Sequence, residues 1–288
     1  MKVGIIGLGS MGLGFAKNLI AKGYSVSGFD INSERMEMLA ALGGNACKSP
    51  ADVGAASDAV ILMVFNDANI RTVLYGEGPL LSTLTPGKVL LVTCTVGDAI
   101  INEVLPDLTS RGIRVLDTPL MGSCEEAENG SIHIIVAAEK TDFEFAKPLL
   151  LDMGSELYFM GETPGSGQLA KTCLQALFSL TFETAFEVIS LAKKAGLNMD
   201  EVHRLFKNSP SSSVLFHITE ENIMNRAFTG TNNPLSILEK DINLVLKLSA
   251  RYGLKLGACE GTAKIFGEAM KLYASEDIFA AVKVVEND

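Results

Sequence analysis

The fold is decided by one stretch near the start of the chain, Val3-Gly4-Ile5-Ile6-Gly7-Leu8-Gly9-Ser10-Met11-Gly12. An apolar run that suits a buried strand leads into the pattern Gly7-x-Gly9-x-x-Gly12, and a helical pattern follows at once. A second apolar run then ends on Asp30. This order of strand, glycine-rich turn, helix, strand and acid predicts a dinucleotide-binding fold.

Each glycine of the turn has a physical reason. Gly7 permits the tight turn, Gly9 lets a pyrophosphate approach the backbone, and Gly12 lets the helix pack close to the strand. The start of the helix presents backbone N–H groups and the positive end of the helix dipole to the phosphates. We therefore predict that the cofactor contacts the turn and the first helical residues, namely Gly7, Gly9, Ser10, Met11 and Gly12.

The acid after the second strand bears on the choice of cofactor. Asp30 follows Gly12 at close to the ~20-residue spacing at which a carboxylate hydrogen-bonds a ribose 2′-hydroxyl. The same carboxylate repels the 2′-phosphate of NADP, and Arg35 is the first basic residue after it. We therefore predict NAD rather than NADP, with Asp30 and Asn32 among the residues that bind it.

Composition restricts the class of protein. The chain has 288 residues, 48% of them hydrophobic, which is enough for one large or two medium domains with cores of their own. A net charge of -10 argues against nucleic acid and anionic membrane as partners, so local donors must hold any anionic substrate. Five scattered cysteines without a Cys-x-x-Cys pattern indicate free thiols in a reducing cytoplasm.

Metal-binding and targeting patterns are not found in the sequence. His133, His203 and His217 lie far apart along the chain, so no metal site is predicted. Glycines interrupt the apolar N-terminal run, which does not resemble a signal peptide. No run of about 18 apolar residues is present, so we expect a cytoplasmic protein without a membrane-spanning segment.

Strands and helices alternate through the first half of the chain. Strands are predicted at residues 3–6, 26–29, 59–64, 89–93, 114–116 and 132–137, with helices between them at residues 34–42, 69–74 and 99–111. Continuous apolar strands separated by helices are typical of a parallel sheet covered on both faces. The fold class predicted for residues 1–163 is therefore α/β, a doubly wound Rossmann domain.

The pattern changes near residues 161–167, where glycines and a proline predict a domain boundary. Residues 164–288 are predicted to form an all-helical domain that begins with a long helix over residues 168–195. Further helices are predicted at residues 200–207, 214–225, 236–252, 261–274 and 277–285. Apolar side chains fall on nearly every face of the long helix, so we expect it to pack partly against another subunit, in a homodimer or homotetramer.

A lysine at the start of the long helix is the candidate proton donor. Lys171 follows the predicted domain junction and has apolar neighbours on both sides. Burial lowers the pKa of a lysine, and an oxidised nicotinamide nearby acts in the same direction. Such a lysine can exchange protons near neutral pH. The alternative reading of the same residue is an ordinary surface lysine.

The glycine-rich segment also resembles a known family signature. Residues 7–19, Gly-Leu-Gly-Ser-Met-Gly-Leu-Gly-Phe-Ala-Lys-Asn-Leu, resemble the signature of the β-hydroxyacid dehydrogenases, and the match extends beyond the glycines to Met11, Asn18 and Leu19. That family includes 3-hydroxyisobutyrate dehydrogenase, tartronate semialdehyde reductase and succinic semialdehyde reductases. The resemblance continues to the C-terminus and therefore covers essentially the whole chain.

The resemblance implies further site residues. Met63, Val64 and Thr95 lie where members of the family line the cofactor. The segment Gly165-Ser166-Gly167-Gln168-Leu169-Ala170-Lys171 is similar to the catalytic segment of the family, which places Lys171 on its essential lysine. The pair Lys240-Asp241 resembles the Lys-Asp pair of the last long helix, whose lysine reaches cofactor or substrate.

Two departures from the family pattern concern the substrate. The family loop Asp-x-Pro-Val-Ser-Gly-Gly reads Asp117-Thr118-Pro119-Leu120-Met121-Gly122-Ser123 here, so the usual serine is Met121. We expect the N–H groups of Gly122 and Ser123 to hold an acid group of the substrate. Gln175 replaces the usual Asn four residues after the lysine, on the same helix face, and is expected to orient the substrate hydroxyl.

Together these residues imply an NAD-dependent oxidoreductase. It would transfer a hydride between the nicotinamide and a small β-hydroxyacid or its semialdehyde, with Lys171 as general acid and base. Imine reduction on the same scaffold is one alternative, although relatives with that activity usually replace the lysine with Asp or Tyr. The other alternative is a cofactor-binding scaffold protein without catalytic activity.

Overall fold

A computed structural model describes residues 1–231 and 233–287 of the chain. The chain forms two compact units, Met1–Lys171 and Thr172–Asp288. The division between the units lies inside one continuous helix, shortly after the domain boundary predicted between residues 163 and 164.

The N-terminal unit is built on a six-stranded parallel sheet. Its strands are β1 (Lys2–Ile6), β2 (Ser25–Phe29), β3 (Asn45–Ala46), β4 (Ala59–Leu62), β5 (Val89–Val92) and β6 (Arg114–Asp117). Their order across the sheet is β3-β2-β1-β4-β5-β6, and all the pairs are parallel. The chain direction across the sheet reverses between β1 and β4, which is the switch point where such folds bind ligands. The predicted α/β doubly wound class is confirmed.

Helices cover both faces of this sheet. The helices of the N-terminal unit before α8 are α1 (Ser10–Ala21), α2 (Ser33–Ala41), α3 (Pro50–Ala56), α4 (Asp67–Tyr75), α5 (Asp98–Ser110), α6 (Cys124–Asn129), which packs on α1, and α7 (Lys140–Met153). Successive side chains of a strand point to opposite faces. Ile5 accordingly belongs to one apolar cluster and Ile6 to the other, and both are buried. Burial on both sides explains why these strands read as continuous apolar runs.

A second, smaller sheet was not foreseen. It contains β7 (Leu120–Met121), β8 (Ile132–Val136) and β9 (Gly154–Phe159), with β7 antiparallel and β9 parallel to β8. The run at residues 132–137 is indeed a strand, but assigning it to the main parallel sheet was wrong. It meets the main sheet through one antiparallel bridge, Asp117 to Ala137. The strand β9 escaped prediction because most of its residues are exposed and it lacks an apolar run.

The C-terminal unit consists of helices, as predicted. The long helix α8 (Ser166–Lys194) begins in the N-terminal unit and is followed by α9 (Met199–Lys207), α10 (Val214–Met224), α11 (Leu235–Arg251), α12 (Gly257–Tyr273) and α13 (Val282–Glu286). The helix predicted at residues 277–285 is a 3₁₀ turn, Ile278–Ala281, that runs into α13. Phe186, Ile242 and Phe266 are fully buried in one apolar core of this unit.

Helix α8 is only partly covered within one chain. Phe186 and Ile189 are buried, whereas Leu177 and Leu191 are 61% and 70% exposed. Among the described residues, α8 is the one helix that is long and apolar enough to cross a membrane, a criterion that a core helix of a soluble protein also meets. Its buried side is consistent with a core helix. The predictions of a subunit contact and of no membrane partner stay predictions.

Candidate active site

The glycine-rich turn connects β1 to α1 by close backbone contacts. Gly7 has a positive φ of 95°, and its N–H donates to the carbonyl of Phe29, at 2.9 Å. A Cβ atom at Gly7 would lie 2.1 Å from the carbonyl oxygen of Met63, and one at Gly12 would lie 2.0 Å from that of Gly7. Both positions therefore exclude any side chain, as the strand–turn–helix geometry requires.

Gly9 is different because it borders open space. A Cβ atom there would meet no atom within 4 Å among the described residues. Gly9 precedes α1 and has no side chain to cap it, and the first turn of α1, described throughout, contains no acidic residue. The N–H groups of Ser10 and Met11 therefore stand at a helix start that suits an anionic ligand. The turn fits the pyrophosphate of a dinucleotide, whose backbone approach requires a residue without a side chain at Gly9.

The structure brings Asp30 to this turn. Its two carboxylate oxygens accept from the N–H groups of Leu8, at 2.6 Å, and of Asn32, at 2.9 Å. Asn32 in turn caps α2, because its side-chain oxygen accepts from the N–H of Glu34 at 2.9 Å. The carboxylate of Asp30 thus stands beside the glycine turn, at the carboxyl end of β2, where the ribose of a dinucleotide binds in this fold.

The other predicted cofactor residues follow the neighbouring strands. Met63 and Val64 come directly after β4, and Thr95 comes shortly after β5. The N–H of Met63 donates to the carbonyl of Ile6, at 2.8 Å, which holds the end of β4 against β1. These residues therefore lie at the same carboxyl edge of the sheet as the glycine turn.

A buried polar cluster that the sequence analysis missed fixes the first turn of α8. One carboxylate oxygen of Asp117, at the end of β6, accepts from the N–H groups of Gly165 and Gln168, both at 2.9 Å. The other oxygen accepts from the side-chain amide of Gln168, at 2.8 Å. That amide also donates to the carbonyl of Cys94, and its oxygen accepts from the N–H groups of Val96 and Gly97.

This cluster determines where the candidate catalytic lysine lies. Gln168 ties α8 to the ends of β5 and β6, and Lys171 follows one helical turn later in the same unit, with 6% of its surface exposed. Burial raises the pKa of Asp117 to about 6, although the N–H groups of Gln168 and Gly165 act in the opposite direction. No local pattern predicts the pairing, because Asp117 and Gln168 are 51 residues apart.

A second polar group lies in the C-terminal unit. The side-chain amide of Gln175 donates to Asp241, and the ammonium of Lys240 lies 3.0 Å from the other oxygen of that carboxylate. Asp241 is 2% exposed. The amide oxygen of Gln175 is buried and has no hydrogen-bond partner among the described residues. Gln175 therefore offers one acceptor whose direction is fixed by the contact of its amide nitrogen with Asp241.

The predicted substrate loop differs from expectation at Ser123. Met121 is the last residue of β7 and is half-buried. Ser123 caps α6: its hydroxyl accepts from the N–H of Glu126, at 3.2 Å, and its own N–H donates to the Glu126 carboxylate, at 2.6 Å. An acid group could use the Ser123 N–H only by displacing Glu126. The expected cradle of Gly122 and Ser123 is therefore not preformed.

Two family models together match nearly the whole chain. One is described as the NAD binding domain of 6-phosphogluconate dehydrogenase and matches residues 2–161. The other is described as "NAD-binding of NADP-dependent 3-hydroxyisobutyrate dehydrogenase" and matches residues 165–285.

Individual proteins are similar over the same length. An L-threonate dehydrogenase of Haemophilus influenzae is 30% identical, over 98% of this chain and 94% of that one. A 2-(hydroxymethyl)glutarate dehydrogenase of Eubacterium barkeri is 30% identical, over 99% and 95%. The crystal structure of a 3-hydroxyisobutyrate dehydrogenase from Salmonella typhimurium superposes with a TM-score of 0.89 at 28% identity, covering 99% of both chains.

Proposed function

Because the chain belongs to the β-hydroxyacid dehydrogenase family, we propose that it is an NAD(H)-dependent enzyme that interconverts a small β-hydroxyacid and its semialdehyde, with Lys171 as general acid and base. The observation that carries the proposal is the burial of Lys171 one turn after Gln168, which is bonded to the carboxyl edge of the dinucleotide-binding sheet.

The residues of the N-terminal unit fit the cofactor. Gly9 and the start of α1 would hold the pyrophosphate, and Asp30 would accept from the ribose hydroxyls. When bound, the nicotinamide supplies hydride exchange with a substrate carbon. NAD is favoured over NADP because the Asp30 carboxylate repels a 2′-phosphate.

Two side chains would contact the reacting oxygen of the substrate. Lys171 would donate a proton to the carbonyl oxygen during reduction and accept the hydroxyl proton during oxidation, a role that its buried position at the start of α8 favours. Gln175 would accept a hydrogen bond from the substrate hydroxyl through its buried amide oxygen. Asp241 would keep that amide in place, and Lys240 is proposed to reach the cofactor or substrate.

The proposal is tested by NADH oxidation with short semialdehydes that differ in chain length and terminal anion. Replacing Lys171 with Ala should lower kcat by about 10²- to 10⁴-fold, the usual contribution of a general acid, while NADH binding measured by fluorescence stays unchanged. Lys194→Ala, an exposed lysine at the other end of α8, is the matched control. Equal rates for Lys171→Ala and the wild type would reject the assignment.

Adding a cyclic imine to this screen distinguishes the alternatives. Turnover of a cyclic imine, with no turnover of any semialdehyde, would replace the proposal with imine reduction. NADH binding without turnover of any carbonyl compound would indicate a cofactor-binding scaffold.

A further inference from the structure

A cluster of two histidines and one glutamate lies in the C-terminal unit, in addition to the residues proposed for catalysis. Atom Nδ1 of His203 lies 2.7 Å from Oε2 of Glu220, and Nδ1 of His217 lies 3.1 Å from the same oxygen. One ligand atom from each of the three side chains lies within 4.8 Å of the others. All three groups therefore converge on one point.

The secondary structure explains how residues that are distant in the sequence meet. His217 and Glu220 are three positions apart on α10, so their side chains share one face of that helix. His203 comes from α9, which the segment after Lys207 connects to α10. No metal site is predicted from the sequence, in which the histidines lie far apart, because their convergence depends on the tertiary fold.

The glutamate of the cluster is buried, so its negative charge needs a positive charge close to it. Glu220 is 3% exposed. Its ion-pair partners within the described residues are the two imidazoles, which carry a positive charge only when protonated. A buried carboxylate without a compensating charge is costly. A cation held by the same three groups would supply that charge with both imidazoles neutral.

Neighbouring groups orient the imidazoles and leave a route to solvent. The hydroxyl of Ser212 lies 2.8 Å from Nε2 of His217, on the side of the ring away from Glu220. Such a partner on the second ring nitrogen fixes the orientation of a metal-binding histidine. Phe216 packs edge-on against the ring of His217. The side chain of His203 is 50% exposed, so an ion and a water ligand can reach the cluster.

We propose that Nδ1 of His203, Nδ1 of His217 and the Glu220 carboxylate bind a divalent transition-metal ion of the zinc class, with water completing the coordination. Two histidines and one carboxylate are an established ligand set for such ions. A tetrahedral ion with bonds of about 2.0–2.2 Å holds its ligands about 3.3 Å apart, so side-chain shifts on the order of 1 Å suffice. The ion would join α9 to α10 and would take no part in hydride transfer.

Metal stoichiometry tests the proposal with Zn²⁺ as the probe. The full chain without a polyhistidine tag is stripped with a chelator, dialysed against micromolar Zn²⁺ and analysed for bound metal. We expect one ion per chain for the wild type, and loss of that ion in His203→Gln and His217→Gln. His133→Gln is the matched control, because His133 lies on β8 in the N-terminal unit, and it should keep the ion. Equal zinc content in His203→Gln and the wild type would overturn the proposal, as would a wild type that retains none.

Further measurements guard against misfolding and thiol binding. His203 is half exposed, so its replacement should leave the circular dichroism spectrum and NADH oxidation unchanged. Cys173→Ser, which removes an exposed thiol, should leave the stoichiometry at one Zn²⁺ per chain.

Zn²⁺ should raise the thermal unfolding temperature of the wild type but not of His203→Gln. Ser212→Ala should weaken Zn²⁺ binding about tenfold or more. A stabilisation by Zn²⁺ that is equal in wild type and His203→Gln would count against the site.

Discussion

At the residue scale, Asp30 holds the backbone of the glycine turn, and in our proposal it also selects the cofactor. Its carboxylate accepts from two backbone N–H groups that belong to the glycine turn and to the start of α2. The next residue, Ile31, is 96% exposed, so a longer polar side chain is accommodated there without repacking. These two adjacent positions therefore control cofactor choice in our proposal.

Changing both positions should change the cofactor preference. The double variant Asp30→Ser with Ile31→Arg should bind NADPH more tightly and NADH more weakly, because it removes the repulsion and supplies a phosphate partner. We expect the ratio of kcat/KM for NADPH over NADH to rise by about tenfold or more, since each 1.4 kcal/mol is a factor of ten. The single variant Ile31→Arg is the control and should change the ratio less. An unchanged ratio in the double variant would show that Asp30 does not face the ribose.

Glu126 occupies the N–H group that the sequence analysis assigned to the substrate. Glu126→Ala should free the N–H of Ser123 and remove a carboxylate that repels an acid group. We therefore predict a lower KM for semialdehydes with a terminal carboxylate, together with a loss of roughly 1 kcal/mol in the free energy of unfolding as the cap is removed. Glu125→Ala, an exposed neighbour with the same charge change, should leave KM unchanged. A KM that rises in Glu126→Ala would assign Glu126 itself to the substrate site.

Glu183 on α8 gives a prediction about pH. Its side chain is 7% exposed, and neither carboxylate oxygen has a hydrogen-bond partner among the described residues. Burial, with a smaller contribution from Glu187, raises its pKa from 4.5 to about 7. The folded state therefore holds this proton more tightly than the unfolded state, and the stability that the proton confers is lost as pH rises from about 4.5 to about 7.

The corresponding experiment compares urea unfolding at pH 5 and pH 8. Glu183→Gln should reduce the loss of stability between these pH values by roughly 2 kcal/mol relative to the wild type. Glu201→Gln, an exposed acid of the same unit, should have no such effect. If Glu183→Gln shows the same pH dependence as the wild type, protonation of Glu183 does not contribute to the stability of the folded protein.

At the element scale, α8 owes its position to Gln168. Gln168→Leu should lower kcat more than it lowers NADH affinity, because the change removes the side-chain amide that contacts one oxygen of Asp117 and the backbone of Cys94, Val96 and Gly97, and so loosens the turn that precedes Lys171. Each buried group left unpaired costs about 1–3 kcal/mol, so the unfolding temperature should also fall. Thr184→Val, a change at an exposed residue further along α8, is the control. If kcat of Gln168→Leu stays at the wild-type value, the contact does not position Lys171.

Some elements of the fold could be predicted from local sequence patterns, and others could not. The glycine pattern predicted β1, α1 and β2 because turn geometry, helix start and acid are all local. The strand β3 has only two residues, and α6 is specified chiefly by its Ser123–Glu126 cap, so neither carries an apolar period. The contacts of Asp117 with Gln168 and of His203 with Glu220 depend on the tertiary fold and leave no local pattern.

At the scale of the whole molecule, the exposed apolar residues of α8 concern assembly. Leu177 and Leu191 are large side chains of α8 that are mostly exposed within one chain. We predict that Leu191→Asp shifts the particle mass measured by light scattering toward that of one chain, because it places a charge in the predicted subunit contact. Lys194→Asp, also exposed and one turn further on, should have less effect. A wild type that already has the mass of one chain would refute the predicted oligomer.

The bond between Asp117 and Gln168 bears on where the chain can be cut. A truncation after residue 163 would remove Gly165 and Gln168, and the buried carboxylate at the end of β6 would lose its three donors. A fragment that continues to Lys171 keeps all three. A free-standing nucleotide-binding fragment therefore has to include the opening turns of α8, although most of that helix belongs to the other unit.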